Sequence, residues 1–401
     1  MWHGTSSLRV PPDRLEDARI TLDLENGPIS SLDLVSTTAG DSFLYIVAHH
    51  LVVDLVSWNS ILRDFDDLLS KGAFSHEEPG PFPLWAQKQA EYARLHLDPK
   101  TTLPAPIPAA DFAFWGMADA DGNLVPNLAR DTIHHTICIP EAATAMLLKE
   151  SHAKHEAEPM DVLVSALTRS FFLVYGQTRE SPPAIFRFGH GREDIEGLPD
   201  VSSTVGWFST LSPLHVPVGL GGDCSAAGVL GRTVELRRRT PHNGWAYFAA
   251  RYHHADGGAV FGGHERMEVA VNYLGVRDRQ VRGADSAVFD LSRMVDGGLG
   301  AGGQDVKCMS LFGVTAEVRA GCLEVDLEWN RRVRGQGQVR AWWREFEACL
   351  KELASAGSPY VRSGSGEWGV VPSVGRRESL SREQRRMRSL SRQRSRQSSN
   401  V

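Results

Sequence analysis

The run FLYIVA, residues 43–48, is apolar and rich in aromatic and β-branched types, which reads as a buried strand. It ends in two adjacent histidines, His49 and His50, and Asp54 follows four residues after the second. From Trp58 the hydrophobic period changes: Trp58, Ile61, Leu62, Phe65, Leu68 and Leu69 recur at helical spacing, with Asp64, Asp66 and Asp67 off the stripe. Ser57 is the expected N-cap and Gly72 the expected C-cap. A chain that passes from strand to helix through two imidazoles and a carboxylate is building a loop for chemistry, or packing a histidine pair into its core. Side chains alternate on a strand, so the two rings are expected to face opposite ways, one into a cleft and one inward.

The same change of period recurs downstream. TIHHTICI (132–139), AIFRF (184–188), MEVAVNYLG (267–275) and LEVDLEWN (323–330) read as strands. A short helical stretch is expected near PLWAQKQAEYARLH, inside the otherwise Pro-rich and polar segment 72–111. MDVLVSALTRSFFLVYG (160–176) reads as a buried helix stopped by Gly176. VRAWWREFEACLKELASAG reads as a final helix, with Trp342, Trp343, Phe346, Leu350 and Leu353 on one stripe. This mixture predicts layered α/β or α+β structure, and 401 residues suit more than one compact unit.

The segment 376–401 holds nine arginines and two glutamates and almost no apolar residue, so it cannot form a core and is expected to be disordered, as is everything from about residue 357. The net charge of the whole chain is only -6, which argues against a nucleic-acid binder or a membrane-surface protein. Cys138, Cys224, Cys308, Cys322 and Cys349 are scattered, with no CxxC pair, and fit a reducing, cytoplasmic setting. The first twenty residues have no apolar stretch of a signal peptide, and no apolar run approaches bilayer length.

A histidine beside a cleft is the usual proton-transfer group near neutral pH. His-His-x-x-x-Asp also admits a metal-ligand reading, but zinc draws its ligands from several elements, and adjacent residues on a strand diverge. HHLVVD resembles the HHxxxDG motif of the condensation-domain superfamily of nonribosomal peptide synthetases. GHGRE (residues 189–193, with His190, Arg192 and Glu193) resembles the EGHGRE motif of that family. TVGWFSTLSP (204–213, with Trp207) resembles its TVGWFT segment, and VNYLG (271–275) its FNYLG segment. TPHNGWAYFAARY (240–252) is a looser match to PxxGxGYG, and DVLVSALTRSFF lies where the family has a DxLLxAL helix. These downstream segments are similar to the epimerization subclass in particular.

The resemblance implies a two-lobed α/β fold like that of chloramphenicol acetyltransferase. An incomplete N-lobe would span 1–145, a C-lobe 146–356 and the Arg/Ser-rich tail 357–401. The family's opening motif and first helix are not found, which implies N-terminal truncation. The resemblance also implies no metal and no bound cofactor. The partner would be a peptidyl carrier protein that presents an aminoacyl or peptidyl thioester on its 4'-phosphopantetheine arm. By position, His50 would be the proton-transfer residue and His49 structural. Asp54 would orient the loop by pairing with an arginine that the motifs do not identify, and Asn272 and Tyr273 would line the pocket or polarise the thioester carbonyl. Two departures bear on activity. Leu55 replaces the glycine after the aspartate, and a leucine there is expected to crowd the channel. Phe188 replaces the first glutamate of EGHGRE, and a phenyl ring cannot exchange a proton. Epimerization of the α-carbon, peptide-bond-forming acyl transfer, and a catalytically inactive carrier-docking module are the readings that follow.

Overall fold

The computed structural model describes residues 22–36, 42–192, 195–219, 223–276, 304–356, 360–362 and 368–370. Residues 1–357 form one compact unit and 358–401 a second. In the second unit, Tyr360–Arg362 and Trp368–Val370 pair antiparallel, so two short strands lie inside the segment expected to lack structure. The Arg/Ser-rich stretch 376–401 is outside the described residues.

β1 (Ser30–Ser36) and β2 (Ser42–Ala48) pair antiparallel, from Ser30 opposite Ala48 to Ser36 opposite Ser42. The strand expected at 43–48 is present, but residues 44–48 are half-buried rather than buried. The physical reason is that β1 is its only strand neighbour among the described residues, and Leu32 and Leu34 of β1 are exposed. α1 (Leu55–Lys71) follows, and its N-cap is Asp54, not Ser57. The apolar stripe begins at Trp58 because Leu55 and Val56, in the first turn, face solvent. Gly72, at φ +72°, closes the helix in the left-handed conformation and donates its N–H to Leu68. α2 (Phe82–His96) buries Trp85, Gln89 and Ala93, four residues apart on one face.

The main body is a six-stranded mixed sheet. β3 (Thr132–Ile139) is an edge strand. Two helices follow it, α3 (Glu141–His155) and α4 (Pro159–Tyr175). Then come β4 (Ile185–His190), β5 (Ser209–Leu214), α5 (Ala226–Arg238), α6 (Trp245–His253) and the short α7 (Gly257–Phe261). β6 (Met267–Val276), β7 (Ser310–Arg319), β8 (Cys322–Asn330) and α8 (Gln336–Ala356) complete the unit. The strand order is β3-β8-β7-β6-β4-β5. β4, β6 and β7 run parallel to one another, and the remaining neighbours are antiparallel. β3 therefore belongs to the sheet built mainly from the segment expected as the C-lobe.

α4 packs against α5 and α8, and nearly all its residues from Asp161 to Phe171 are buried. Around it an aromatic cluster fills the core: Trp115, Phe171, Phe312, Trp342 and Phe346 are each almost fully buried. A buried carboxylate beside this cluster, Glu268, is well supplied with donors. Glu268 accepts two bonds from Arg179, at 2.6 and 2.8 Å, one from Asp111 N at 2.9 Å, and the indole N–H of Trp115. Among the described residues no helix is long and apolar enough to cross a membrane.

Candidate active site

β2 stops at Ala48, so His49 and His50 lie in the turn that leads to α1 and do not alternate on a strand. His49 holds that turn. Its N–H donates to Ile29 O at 2.9 Å, its carbonyl accepts from Val52 N at 3.0 Å, and its Nδ1 accepts from Leu51 N at 3.2 Å. His50 is exposed, with its ring centroid 5.9 Å from that of Trp207 and tilted by 57°.

The turn is anchored from below by Asp54, which is 6% exposed. As N-cap of α1 its Oδ1 accepts from Ser57 N at 2.7 Å, and Ser57 Oγ lies 2.7 Å from the same oxygen. Its Oδ2 accepts from Phe208 N at 3.1 Å, and its own N–H donates to Gly206 O at 3.2 Å. The arginine that pairs with Asp54 is Arg192, the arginine of GHGRE. Arg192 Nη2 donates to Oδ1 at 3.1 Å, to Oδ2 at 3.3 Å and to Ser57 Oγ at 3.0 Å. Its Nη1 donates to Val201 O at 2.6 Å and Thr204 O at 2.8 Å. The guanidinium also lies over the Phe208 ring, 3.9 Å from its centroid.

These bonds explain the VGWF segment. Gly206 gives its carbonyl and its N–H to the Asp54–Ser57 pair, and a Cβ there would sit 2.2 Å from the Phe82 ring, so any larger residue forces that ring to shift. Phe208 packs edge-on to Phe82 at 5.1 Å and beside Trp85 at 4.8 Å, which ties the segment to α2. Trp207, between them, turns outward and forms the wall beside His50. Sequence reasoning missed Ser57, Gly206 and Phe208 as supports. The signal was present, since Asp-x-x-Ser is a cap pattern and the other two lie inside the segment already singled out.

The remaining expected residues are placed as follows. His190 is exposed at the end of β4, opposite Ser209 of β5. Asn272 and Tyr273 lie half-buried in the second half of β6, Tyr273 against the main core. The register slips between Tyr273 and Val276, and Gly275 there has φ +85°, a conformation that suits glycine at a bulge. None of these three is a hydrogen-bond partner of Asp54 or Arg192. Glu193 lies outside the described residues. Phe188 is half-buried and packs with Phe186, Leu211 and Met267. Leu55 is 43% exposed on the first turn of α1, so its side chain does not pack into the Asp54 cluster. Among the described residues no three of His, Cys, Asp and Glu converge as a metal-ligand set.

Known proteins resemble this arrangement. A sequence profile of the condensation domain matches residues 14–101. The nonribosomal peptide synthetase ungA of Aspergillus violaceofuscus is 36% identical over 349 residues, which are 85% of this chain and 4% of that protein. The chain thus spans a small fraction of the curated relative it matches. Among solved structures, the epimerization domain from the third module of tyrocidine synthetase B matches with a TM-score of 0.63 at 22% identity, covering 88% of this chain and 78% of that one. The condensation domain that mediates chain release from the enacyloxin polyketide synthase matches at 0.56 and 16% identity, covering 86% of this chain and 67% of that one. At such identities these likenesses show the fold, the α/β chloramphenicol-acetyltransferase-like fold of condensation and epimerization domains.

Proposed function

This chain belongs to the condensation-domain superfamily of nonribosomal peptide synthetases, and from that premise we propose that it is an epimerization-type domain acting at the α-carbon of a carrier-bound aminoacyl or peptidyl thioester. The observation that carries the reading is the Asp54–Arg192 bridge. It gathers the His-His turn, the GHGR segment and the VGWF segment around one buried ion pair, with His50 at the exposed edge. In this reading His50 is the proton-transfer group. It removes the α-proton of the thioester as the carbonyl takes up enolate charge, and returns a proton afterwards. The enolate forms only if donors stabilise its oxygen, and Asn272 and Tyr273 are proposed for that part.

Phe188 sets the stereochemical outcome. Inversion needs an acid or base on each face of the α-carbon, and the position that would supply the second one is a phenyl ring packed among apolar neighbours. A single base that takes and returns the proton on one face exchanges it without inverting the centre. The same observation favours a second reading, acyl transfer, in which His50 assists attack by an amine and no second base is needed.

The experiment is a carrier protein loaded with an aminoacyl thioester, incubated with the full chain in deuterated buffer, with and without a second carrier bearing an acceptor amino acid. Deuterium at the α-carbon faster than inversion supports the proposal. Peptidyl product without exchange selects acyl transfer. Neither product rejects both readings and leaves a docking module.

A further inference from the structure

The edge of the large sheet carries a second feature, separate from the His50 cluster. β3 ends the strand order, and no strand pairs with its outer side among the described residues. On its helix-facing side Ile137 and Ile139 enter the main core, with His135 and Ile133 next along the same face. α8 crosses this face, burying Val339, Trp342 and Phe346 while Arg340 and Arg344 stay exposed. Between strand and helix opens a groove of about 490 Å³. Ile133, Trp329 and Trp343 form its floor, and His135, Arg340 and Arg344 its rim.

The two rim arginines are uncompensated, whereas His134, which also lines the groove, faces Glu328 at 3.3 Å. No acidic side chain lines the groove, and neither Arg340 nor Arg344 has a carboxylate partner among the described residues. The floor is also short of a partner. The Trp329 indole N–H donates to Gln336 Oε1 at 2.8 Å, whereas the buried Trp343 indole N–H has no acceptor among the described residues. An apolar floor with cationic groups at its rim is a usual composition of a binding groove.

The charge selects the occupant. The segment 376–401 of this chain, with nine arginines against two glutamates, is repelled by two more arginines. Arg340 and Arg344 stand one helical turn apart, about 6 Å along the axis. Same-face side chains of an extended chain recur at roughly 6.6–6.8 Å, so carboxylates at alternate positions meet both guanidinium forks. The open edge of β3 offers backbone N–H and C=O groups to such a chain. We propose that this groove docks an extended acidic peptide segment of a partner protein. Two alternate carboxylates sit on Arg340 and Arg344, an apolar side chain rests against Ile133, and the backbone pairs with β3.

The test is fluorescence polarisation of the full chain with a fluorescein-labelled peptide of alternating aspartate and valine, against a peptide of alternating lysine and valine. The acidic peptide binds, and the basic one does not. The double variant Arg340→Glu, Arg344→Glu melts as the wild type does, because both side chains are exposed, and weakens the acidic peptide at least about 10-fold while admitting the basic one. Backbone N-methylation of the acidic peptide also lowers its affinity. Equal binding of the acidic peptide to wild type and double variant overturns the proposal, as does failure to bind the wild type. So does undiminished binding of the N-methylated peptide, or a dimer in light scattering that the double variant dissolves, which would make a second copy the occupant.

Discussion

Arg192 is the residue on which the candidate site depends most. Its side chain is 7% exposed, as is the side chain of Asp54, and removing either leaves the other charge buried without its partner. Breaking a buried pair in this way costs about 3–5 kcal/mol, so Arg192→Ala should lower the urea midpoint by that much and abolish activity. Arg192→Lys should recover little of it. A lysine offers a point charge where Asp54, Ser57, Val201 and Thr204 all use a planar fork. Phe188 makes the opposite kind of prediction. Phe188→Glu should raise the ratio of inversion to exchange at the α-carbon, at some loss of stability from the cluster of Phe186, Leu211 and Met267. A ratio unchanged by that substitution would show that position 188 does not set the stereochemical outcome. The motif residues were legible in the sequence, but the Asp54–Arg192 pairing was not. The two are separated by 138 positions, and the spacing of a motif carries no information about a partner that distant.

At the scale of elements, strands with clear alternation and helices with a full apolar stripe were legible. β3, β6, β8, α4 and α8 all lie where their periodicity put them. β1, β5, β7, α3 and α5 were not read. Six of the seven residues of β1 are serine, aspartate or solvent-facing leucine, and β7 carries a glycine and charged residues among its apolar ones. α5 contains Gly228 and Gly231, which weaken a helix signal, and α3 has no consistent stripe. The start of α1 was misread by one turn because Asp54 and Ser57 are both good caps and the stripe favours the later one. Which aspartate and which glycine matter becomes clear only when the VGWF segment is packed on α1 and α2. Gly206 is the test of that packing. Gly206→Ala forces a Cβ into the Phe82 ring and should cost roughly 1–3 kcal/mol, measured by chemical denaturation. If the loss is steric, Phe82→Leu in the same chain recovers part of it. An alanine tolerated at wild-type stability would contradict the close approach.

At the scale of the whole molecule, stability is expected to fall in mild acid. His215, His253 and His264 are half-buried, and burial lowers the pKa of each below the ordinary histidine value. A depressed pKa in the folded state means that the unfolded chain binds protons first as the pH drops. The stabilisation is therefore complete above about pH 6.5, the unfolded value, and is lost as pH falls towards the folded-state values. His76 acts in the other direction, because the hydrogen bond its ring donates to Asp64 raises its pKa. Three groups against one predict a lower urea midpoint at pH 5.5 than at pH 7.5. Replacing these three half-buried histidines by glutamine should flatten that difference. A steeper acid loss in the triple variant would contradict the assignment.

The central claim is that His50, seated on the Asp54–Arg192 bridge, moves the α-proton of a carrier-bound thioester. The direct measurement is the rate of deuterium incorporation at that carbon by wild type and by His50→Gln, each paired with a melting curve. His50 is exposed, so the substitution should leave melting unchanged, and exchange should fall by about 10²–10⁴. Equal exchange in the two proteins, or none above background in the wild type, would contradict the account.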